Sequence, residues 1–189
     1  CPTGRDLLAV SGLWAGDLYA VGTEGVLLRD DGRTVTLLRQ GGPTLRAVAT
    51  HRSGRVAAVG DDCTLLLADG VSGIRTIEVE GCDERLRSVA FLPGGKLIAG
   101  GRAGTLLYEV TRGGAIRHRV LPGEPYLRSL DLDPWGRMAA GLGDGLVLDL
   151  SEPDGAEPPA LAEVGEETYR YAHVGFLTDR AIPDDTRHI

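Results

Sequence analysis

The sequence has few aromatic residues, one lysine and no long apolar run, and each shortage limits what the protein can be. Aromatic residues make up 5% of the 189 residues, so Leu, Val and Ala must fill the core. No apolar run approaches the roughly 18 residues that a membrane helix needs, so we predict no transmembrane segment. Lys96 is the only lysine beside many arginines, a bias that fits a GC-rich bacterial genome.

The charge balance and the missing nucleotide motifs disfavour several classes of protein. With 27 acidic and 20 basic residues the net charge is −7, which disfavours a nucleic-acid-binding surface. No P-loop, dinucleotide fingerprint or G-x-S-x-G elbow occurs. The histidines lack the spacing of a zinc site: His51, His118, His173 and His188. We therefore predict neither a cofactor nor a bound metal.

What the sequence does contain is a repeat of about 41 residues. LRAVATHRSGRVAAVGDDCTLLL, LRSVAFLPGGKLIAGGRAGTLLY and LRSLDLDPWGRMAAGLGDGLVLD align without a gap at a spacing of 41. LLAVSGLWAGDLYAVGTEGVLLR joins them at a spacing of 38. The four units begin at Leu7, Leu45, Leu86 and Leu127, and a partial fifth, YRYAHVGF, begins at Tyr169. We predict one repetitive domain over residues 1–189.

Each unit carries the signals of four short strands. Glycine, at 28 residues, and aspartate separate short apolar runs, and no segment has a convincing helical period. A tight hairpin joins the second strand to the third, and the fourth strands read TVTLLR, IRTIEV, AIRHRV and ALAEV. Four antiparallel strands in about 40 residues predict an all-β fold made of β-propeller blades.

The segment DLYAVGTEGVLLRDDGRTV resembles the blades of the BNR (Asp-box) propellers and of the photosystem assembly-factor propellers. In these families a V-G-x-x-G-x-I-L hairpin precedes a D-x-G-x-T turn, which Asp30, Gly32 and Thr34 match. Leu28 and Val35 stand where the families prefer Ser and Trp, and the other units keep only the hairpin. The resemblance implies a propeller. Because the families include glycan-cleaving sialidases and non-catalytic assembly factors, it implies no activity.

The repeat allows two ways of completing the ring. Four blades could close by themselves, with the segment from Tyr169 to Ile189 packed against the first blade. Alternatively, the chain is part of a larger ring, which the interrupted fifth unit favours. An open sheet edge would need cover from this chain or from another one.

Arginine occupies the second position of the first strand in four units: Arg46, Arg87, Arg128 and Arg170. In the related propellers this strand is innermost, so the resemblance implies that these side chains meet at one mouth of the channel. Guanidinium groups bind carboxylates through bidentate hydrogen bonds, which predicts a site for the acidic tail of a partner. Alternatively, carboxylates of neighbouring turns neutralise each arginine, for example Glu24, Asp62 and Asp144.

Two further features bear on function. Trp14 and Trp135 lie in loops between the first and second strands, where they either anchor a partner or cover the ends of the core. Sialidase-like hydrolysis would need a carboxylate pair, or a Tyr–Glu nucleophile, beside an arginine cluster. The tyrosines show no convincing pairing with glutamate, although Glu124 lies two residues before Tyr126.

Cys63 stands at a hairpin position where the other units have glycine: Gly25, Gly104 and Gly145. This hairpin lies at the same end of the blade as the link that contains Cys82, so the two could reach the Cα separation of roughly 5.5 Å that a disulfide needs. A bridge would indicate an oxidising compartment, whereas two free thiols would fit the cytosol. Cys1 would match the lipidated first residue of a mature bacterial lipoprotein; a domain excerpt is the alternative.

Together these features predict a non-catalytic β-propeller module that binds another protein or macromolecule as a scaffold or assembly component. We expect it to be part of a larger ring or complex, in the cell envelope or exported rather than in the cytoplasm. A carbohydrate-binding or glycan-hydrolysing propeller is the alternative. Neither interpretation identifies the partner.

Overall fold

A computed structural model of the protein describes residues 4–13, 16–69, 73–92, 94–109, 113, 115–121, 123–132, 138–143, 147–149 and 171–173. Within these ranges the chain forms four sheets of four strands each. The first three sheets each correspond to one unit of the repeat, and the fourth combines three strands of the fourth unit with one strand of the fifth. The predicted all-β architecture of four-stranded blades is therefore confirmed.

The first three blades are antiparallel meanders whose strands follow the chain order. Blade one contains β1 (Leu7–Gly12), β2 (Leu18–Gly22), β3 (Leu27–Asp30) and β4 (Val35–Arg39). Blade two contains β5 (Leu45–Thr50), β6 (Arg55–Gly60), β7 (Leu65–Asp69) and β8 (Ile74–Ile77). Blade three contains β9 (Leu86–Phe91), β10 (Leu97–Gly101), β11 (Thr105–Glu109) and β12 (Ile116–Val120).

Blade four has a different outer strand. It contains β13 (Leu127–Leu132), β14 (Met138–Leu142), β15 (Val147–Asp149) and β16 (Tyr171–His173). Strand β16 comes from the predicted fifth unit and pairs parallel with β15, with Tyr171 opposite Val147, rather than beginning a new sheet. The free edge of β15 offers backbone N–H and C=O groups to an extended segment, which accounts for this pairing. The predicted fourth strand, ALAEV, lies outside the described residues.

The first strand of each blade is innermost. Strand β5 packs against β1 on one side and β9 on the other, and β9 in turn packs against β13. In the described part of the chain, no strand of blade one makes more than isolated contacts with a strand of blade four. The described blades therefore form an arc that is open between blade four and blade one.

Neighbouring blades bury apolar faces against each other. We call the face toward the preceding blade the leading face and the face toward the next blade the trailing face. The leading face of blade two packs on the trailing face of blade one, where Val21 and Leu27 are fully buried. Its members are Val48, Val56, Ala58 and Leu66. The equivalent face of blade three consists of Val89, Leu97, Ala99 and Leu107.

The hairpin between the second and third strands is tied to the link that leaves the same blade. In the first three blades its two central residues have φ between 47° and 67°, the geometry of a type I′ turn. Backbone N–H groups join hairpin and link: Gly41 N donates to Glu24 O, Cys63 N to Glu84 O and Gly104 N to Pro125 O. Hairpins and links therefore share one end of the blades, as predicted.

Cys63 occupies the turn position where blade one has Gly25. A Cβ atom on Gly25 would lie 2.3 Å from the carbonyl oxygen of Gly41, so glycine lets the link approach closely there. In blade two the link carries Cys82 instead, and a disulfide joins it to Cys63 with the Cα atoms 5.8 Å apart. The predicted bridge is present, and it connects the same two segments that touch directly in blade one.

The opposite end of blades two and three is held by a buried ion pair. Arg55 and Glu109 are 7% and 3% exposed, and the guanidinium donates to the two carboxylate oxygens at 3.1 and 3.0 Å. Arg55 also donates to Gly95 O, and Glu109 accepts the N–H of Leu97 at 2.8 Å. These extra hydrogen bonds satisfy charges that would otherwise be costly to bury.

We predict that Glu109→Ala destabilises the protein by about 3–5 kcal/mol, because it leaves the Arg55 guanidinium buried without its counter-ion. Urea unfolding followed by circular dichroism measures the change. The double variant Arg55→Met/Glu109→Ala should lose less than the sum of the single variants. Arg5→Ala, which removes the exposed ion pair with Glu24, is the control and should cost less than about 1 kcal/mol. If the double variant lost as much stability as Arg55→Met and Glu109→Ala together, the predicted coupling would be contradicted.

We predict that Cys63→Ala/Cys82→Ser lowers the free energy of unfolding by about 2–4 kcal/mol, because the bridge closes a loop of 19 residues. Cys63→Gly/Cys82→Ser should lose about 1 kcal/mol less, because φ at position 63 is 47° and glycine adopts this conformation without strain. Chemical denaturation of the oxidised wild type and of the two double variants measures the difference. Equal stability of the glycine and alanine variants would contradict the proposed backbone constraint.

Candidate functional site

Arginine side chains gather where the inner strands begin, beside the hairpin–link junctions. Backbone hydrogen bonds hold the hairpins close to the starts of the inner strands. In each blade, the first hairpin residue donates its N–H to the carbonyl oxygen of the residue that precedes the first strand of the same blade. Asp61 N donates to Thr44 O at 2.9 Å, and Arg102 N donates to Arg85 O at 3.0 Å. The side chains at these positions therefore surround the starts of β5 and β9.

Asp61 is the carboxylate that joins blades two and three at this end. Arg46 donates to both of its oxygens, through Nε at 2.5 Å and Nη2 at 2.7 Å. The Nε of Arg85, in the link to blade three, lies 2.6 Å from Oδ1 of the same carboxylate. One carboxylate thus holds two guanidinium groups from successive blades.

Between blades three and four, the ring of Tyr126 contacts arginine side chains from both blades. The guanidinium carbon of Arg128 lies 5.2 Å from the centre of its ring, and that of Arg102 lies 5.7 Å away. Both are cation–π distances. Such contacts orient a guanidinium group without neutralising its charge, so its N–H groups stay available to an anion.

Arg87 lies between these two groups and is half-buried. Its Nε has no hydrogen-bond partner, although the atom is shielded from solvent. We define the arginine cluster as Arg46, Arg85, Arg87, Arg102 and Arg128. Five guanidinium groups therefore surround one carboxylate and one tyrosine in a protein whose overall charge is −7.

The titration of Asp61 reflects this surplus of positive charge. The hydrogen bonds from Arg46 lower the pKa of the Asp61 carboxyl, and the charges of Arg46, Arg85 and Arg87 lower it further against the opposing effect of burial. The same hydrogen bonds raise the pKa of the Arg46 guanidinium. The carboxylate stays ionised and saturated by arginine, which makes it unsuited to act as a general acid or base at neutral pH.

The structure describes some of the residues singled out in the sequence and not others. Arg46 is paired with Asp61, Arg128 is exposed over Tyr126, and Arg87 lies between them. The suggested partners differ, because Glu24 pairs with Arg5 at 2.7 Å and Asp62 forms the exposed tip of a hairpin. Several of the singled-out residues lie outside the described part of the chain: Cys1, Trp14, Trp135, Asp144 and Arg170.

Sequence reasoning missed four members of this site: Asp61, Arg85, Arg102 and Tyr126. Their signal was present in the repeat alignment. Arg85 and Tyr126 occupy the position before the first strand, and Asp61 and Arg102 occupy the position after the second strand. The backbone hydrogen bonds that bring these positions together repeat in every described blade, so the positions could have been paired from the alignment.

Neither a metal-binding cluster nor a membrane-spanning helix is found among the described residues. Among the described residues no group of three or more His, Cys, Asp or Glu side chains is placed to hold a metal ion. The same ranges contain no helix of the length and apolarity needed to cross a bilayer.

Comparison with known proteins identifies the fold. No family model and no curated protein sequence matches the chain. Among solved structures, the computationally designed Ika4 protein is similar, with TM-score 0.62 and 17% identity over 78% of this chain and 92% of that one. A catalytically inactive virginiamycin B lyase from Staphylococcus aureus, solved with quinupristin, has TM-score 0.64 and 14% identity over 84% of this chain and 61% of that one.

YCF48 bound to a D1 peptide is also similar, with TM-score 0.55 and 14% identity over 80% of this chain and 50% of that one. At these identities the likeness shows the fold alone, and the chain is a β-propeller. It spans only 50% of the YCF48 chain and 61% of the lyase chain. Because the similar structures include a lyase as well as a peptide-bound protein, the fold does not decide between catalysis and binding.

We predict that Asp61→Asn lowers stability by about 1–2 kcal/mol at pH 7, because it removes charge-assisted hydrogen bonds. The folded-state pKa of Asp61 lies below its unfolded value, so its contribution is complete above that unfolded value and is lost as pH falls through the folded one. The stability difference between wild type and variant should therefore shrink below about pH 4. Thermal unfolding across pH tests this, with the exposed Asp62→Asn as control. A difference independent of pH would contradict the assignment.

Proposed function

We propose that the chain is a non-catalytic, protein-binding propeller module whose arginine cluster binds an acidic segment of a partner protein. The observation that carries the proposal is the imbalance of charge at this site. Arg87, Arg102 and Arg128 have no carboxylate partner among the described residues, while the one carboxylate, Asp61, is shared by Arg46 and Arg85.

The chemistry of the cluster suits carboxylates. Each guanidinium carries five N–H donors in a planar fork that matches a carboxylate, and a half-buried Arg forms stronger charge-assisted bonds than an exposed one. A partner carboxylate could also accept from the unsatisfied Nε of Arg87. Because the arginines project from strand starts and hydrogen-bonded links, binding would require little ordering of the backbone.

Several observations favour binding over glycan hydrolysis. Hydrolysis of that kind needs a free carboxylate pair or a tyrosine activated by glutamate. Asp61 is saturated by two arginines, and Glu109 is buried in its ion pair with Arg55. No hydrogen bond joins Tyr126 to Glu124. The arginine cluster therefore lacks, among the described residues, the groups that this chemistry requires.

A peptide-binding role has a parallel in a similar fold, because YCF48 has been solved with a D1 peptide bound. The disulfide between Cys63 and Cys82 supports the further proposal that the protein works in an oxidising compartment, since disulfides persist there and are rare in the cytosol. A scaffold or assembly component of the cell envelope would combine peptide binding with an oxidising compartment.

The proposal is tested with a fluorescent glutamate-rich peptide and a matched peptide in which every Glu is Gln. Fluorescence anisotropy should show binding of the first only, with affinity falling as salt rises, because the attraction is between charges. Arg87→Ala/Arg128→Ala should weaken binding at least about ten-fold, since charge-assisted hydrogen bonds contribute about 1.5–3 kcal/mol each.

Arg33→Ala is the matched control, because Arg33 is exposed in a turn of blade one away from the cluster and its loss should leave the affinity unchanged. Circular dichroism confirms that all variants are folded. Equal binding of the Gln peptide would contradict the proposal. So would an unchanged affinity in the folded double arginine variant.

A further inference from the structure

The link that leaves blade two, residues 78–85, is strongly acidic and lies next to the arginine cluster. Its sequence, EVEGCDER, holds four carboxylates and one arginine. Three of the carboxylates are exposed and form no ion pair among the described residues: Glu78, Glu80 and Asp83. The arginine, Arg85, belongs to the cluster and holds Asp61. The chain therefore carries, beside the cluster, an acidic segment of the kind that the cluster is proposed to bind.

A tight turn in this link lies on the outer side of the blades, whereas the cluster surrounds the inner strands. The N–H of Cys82 donates to Val79 O at 3.2 Å to close the turn. A Cβ atom on Gly81, within the turn, would lie 3.8 Å from Nδ1 of His118 in β12, the outer strand of blade three. Val79 and Cys82 also pack against the core between blades two and three. The link is therefore held away from the guanidinium groups up to the point where Arg85 joins them.

The disulfide is the main tie that holds this link to its hairpin. In blade three, Gly104 forms two backbone hydrogen bonds with the corresponding link, and Leu121 of that link is fully buried. In blade two the described backbone provides one such hydrogen bond, from Cys63 N to Glu84 O at 2.8 Å, and Val79 at the turn is half-buried. The bridge from Cys63 takes the place of the missing contacts. Opening it would leave the acidic link held by one backbone hydrogen bond and a half-buried valine.

The same disulfide joins the two segments that carry Asp61 and Arg85. Cys63 lies two residues after Asp61, and Cys82 lies three residues before Arg85. The Arg85 side chain is 38% exposed, so its position on the Asp61 carboxylate depends on how the link is held. Cys82 is half-buried, whereas Cys63 is 6% exposed, so an external thiol reaches the bridge through Cys82. A change of the bridge is thereby transmitted to the cluster.

We propose that the Cys63–Cys82 disulfide controls access to the arginine cluster. With the bridge formed, the cluster is open to an acidic partner. With the bridge reduced, the released link places its own carboxylates on the guanidinium groups and excludes the partner. This inference rests on the proposed function and adds its regulation. A module that is reduced at synthesis would therefore bind only after oxidation, in the compartment where the bridge forms.

The reduction is a thiol–disulfide exchange with a dithiol. One thiolate of the dithiol attacks Sγ of Cys82, the S–S bond breaks, and its electron pair leaves with Cys63 as a thiolate. The second thiol of the reductant then displaces Cys82 from the mixed disulfide. The two cysteines gain two electrons and two protons in total, and the dithiol loses the same number as it becomes a disulfide. A disulfide oxidant reverses the step.

Charge and chain connection both favour the link as the competitor. The cluster contains five arginines around the single carboxylate of Asp61, and the Nε of Arg87 has no hydrogen-bond partner. Asp83 is two residues away from Arg85, which already lies in the cluster. A segment tethered this closely reaches an effective concentration of the order of millimolar, so it competes with a free partner even when each contact is weak.

The test measures the anisotropy of the fluorescent glutamate-rich peptide with bridged protein and with protein reduced by dithiothreitol, which is uncharged. All proteins carry Cys1→Ser. We expect reduction to weaken binding about ten-fold, as a tethered competitor predicts. The bridge-free variant Cys63→Ala/Cys82→Ser should bind as weakly as reduced protein and should not respond to dithiothreitol. Equal affinity of bridged and reduced protein would overturn the inference.

The matched control separates competition by the link from a general loosening of the fold. In the bridge-free background, Glu78→Gln/Glu80→Gln/Asp83→Asn removes the exposed carboxylates and should restore the affinity of bridged protein. Circular dichroism confirms that the variants are folded. Binding that stays weak in the folded variant with the neutral link would contradict the role of the link.

A second measurement uses bridged protein alone and therefore holds even where the bridge-free variants do not fold. A peptide of residues 78–84 with Cys82→Ser should displace the glutamate-rich peptide at concentrations of the order of millimolar. The same peptide with its carboxylates amidated should not. Failure of the acidic peptide to displace would overturn the inference. If the glutamate-rich peptide itself does not bind bridged protein, the proposed function fails, and the same titration tells the two failures apart.

Discussion

Blades two and three of this propeller are thin sheets that are apolar on both faces, and this constraint governs the rest of the structure. In β6 the alternating side chains of Ala57, Ala58 and Val59 are all buried, Ala58 toward blade one and the other two toward blade three. No blade can bury both faces alone, so stability comes from stacking, as in other repeat architectures. The fixed repeat length follows from it.

The two ends of the blades are held by different means. At the hairpin–link end, backbone hydrogen bonds repeat in every described blade and one disulfide replaces a close glycine contact. Because the backbone does this, the side chains at that end are free to carry charge, and the arginine cluster lies there. At the other end blades two and three are joined by side chains, the buried pair of Arg55 and Glu109. The arginine cluster and the buried ion pair are thereby separated by the length of a strand.

The sequence predicted the blades because two repeated signals, alternating apolar strands and turn residues, are local and recur at a fixed spacing. It predicted the Cys63–Cys82 bridge because a turn position and its neighbouring link can be placed from the repeat alone. It did not predict that Arg55 would reach Glu109, since this pair joins different blades. The pairing of Arg46 with Asp61 inside blade two was missed, although the repeat alignment relates the two positions. The repeat alignment predicted an inner position for β16, whereas the strand lies at the outer edge of blade four, beside β15. The match of YRYAHVGF to a first strand carries no information about which strand edge is free.

The arginine cluster and the leading face of blade one occupy different parts of the arc. Position 46 of blade two corresponds to Leu8 in blade one, an exposed apolar residue in place of arginine. The positive surface therefore runs over blades two to four and stops before that face.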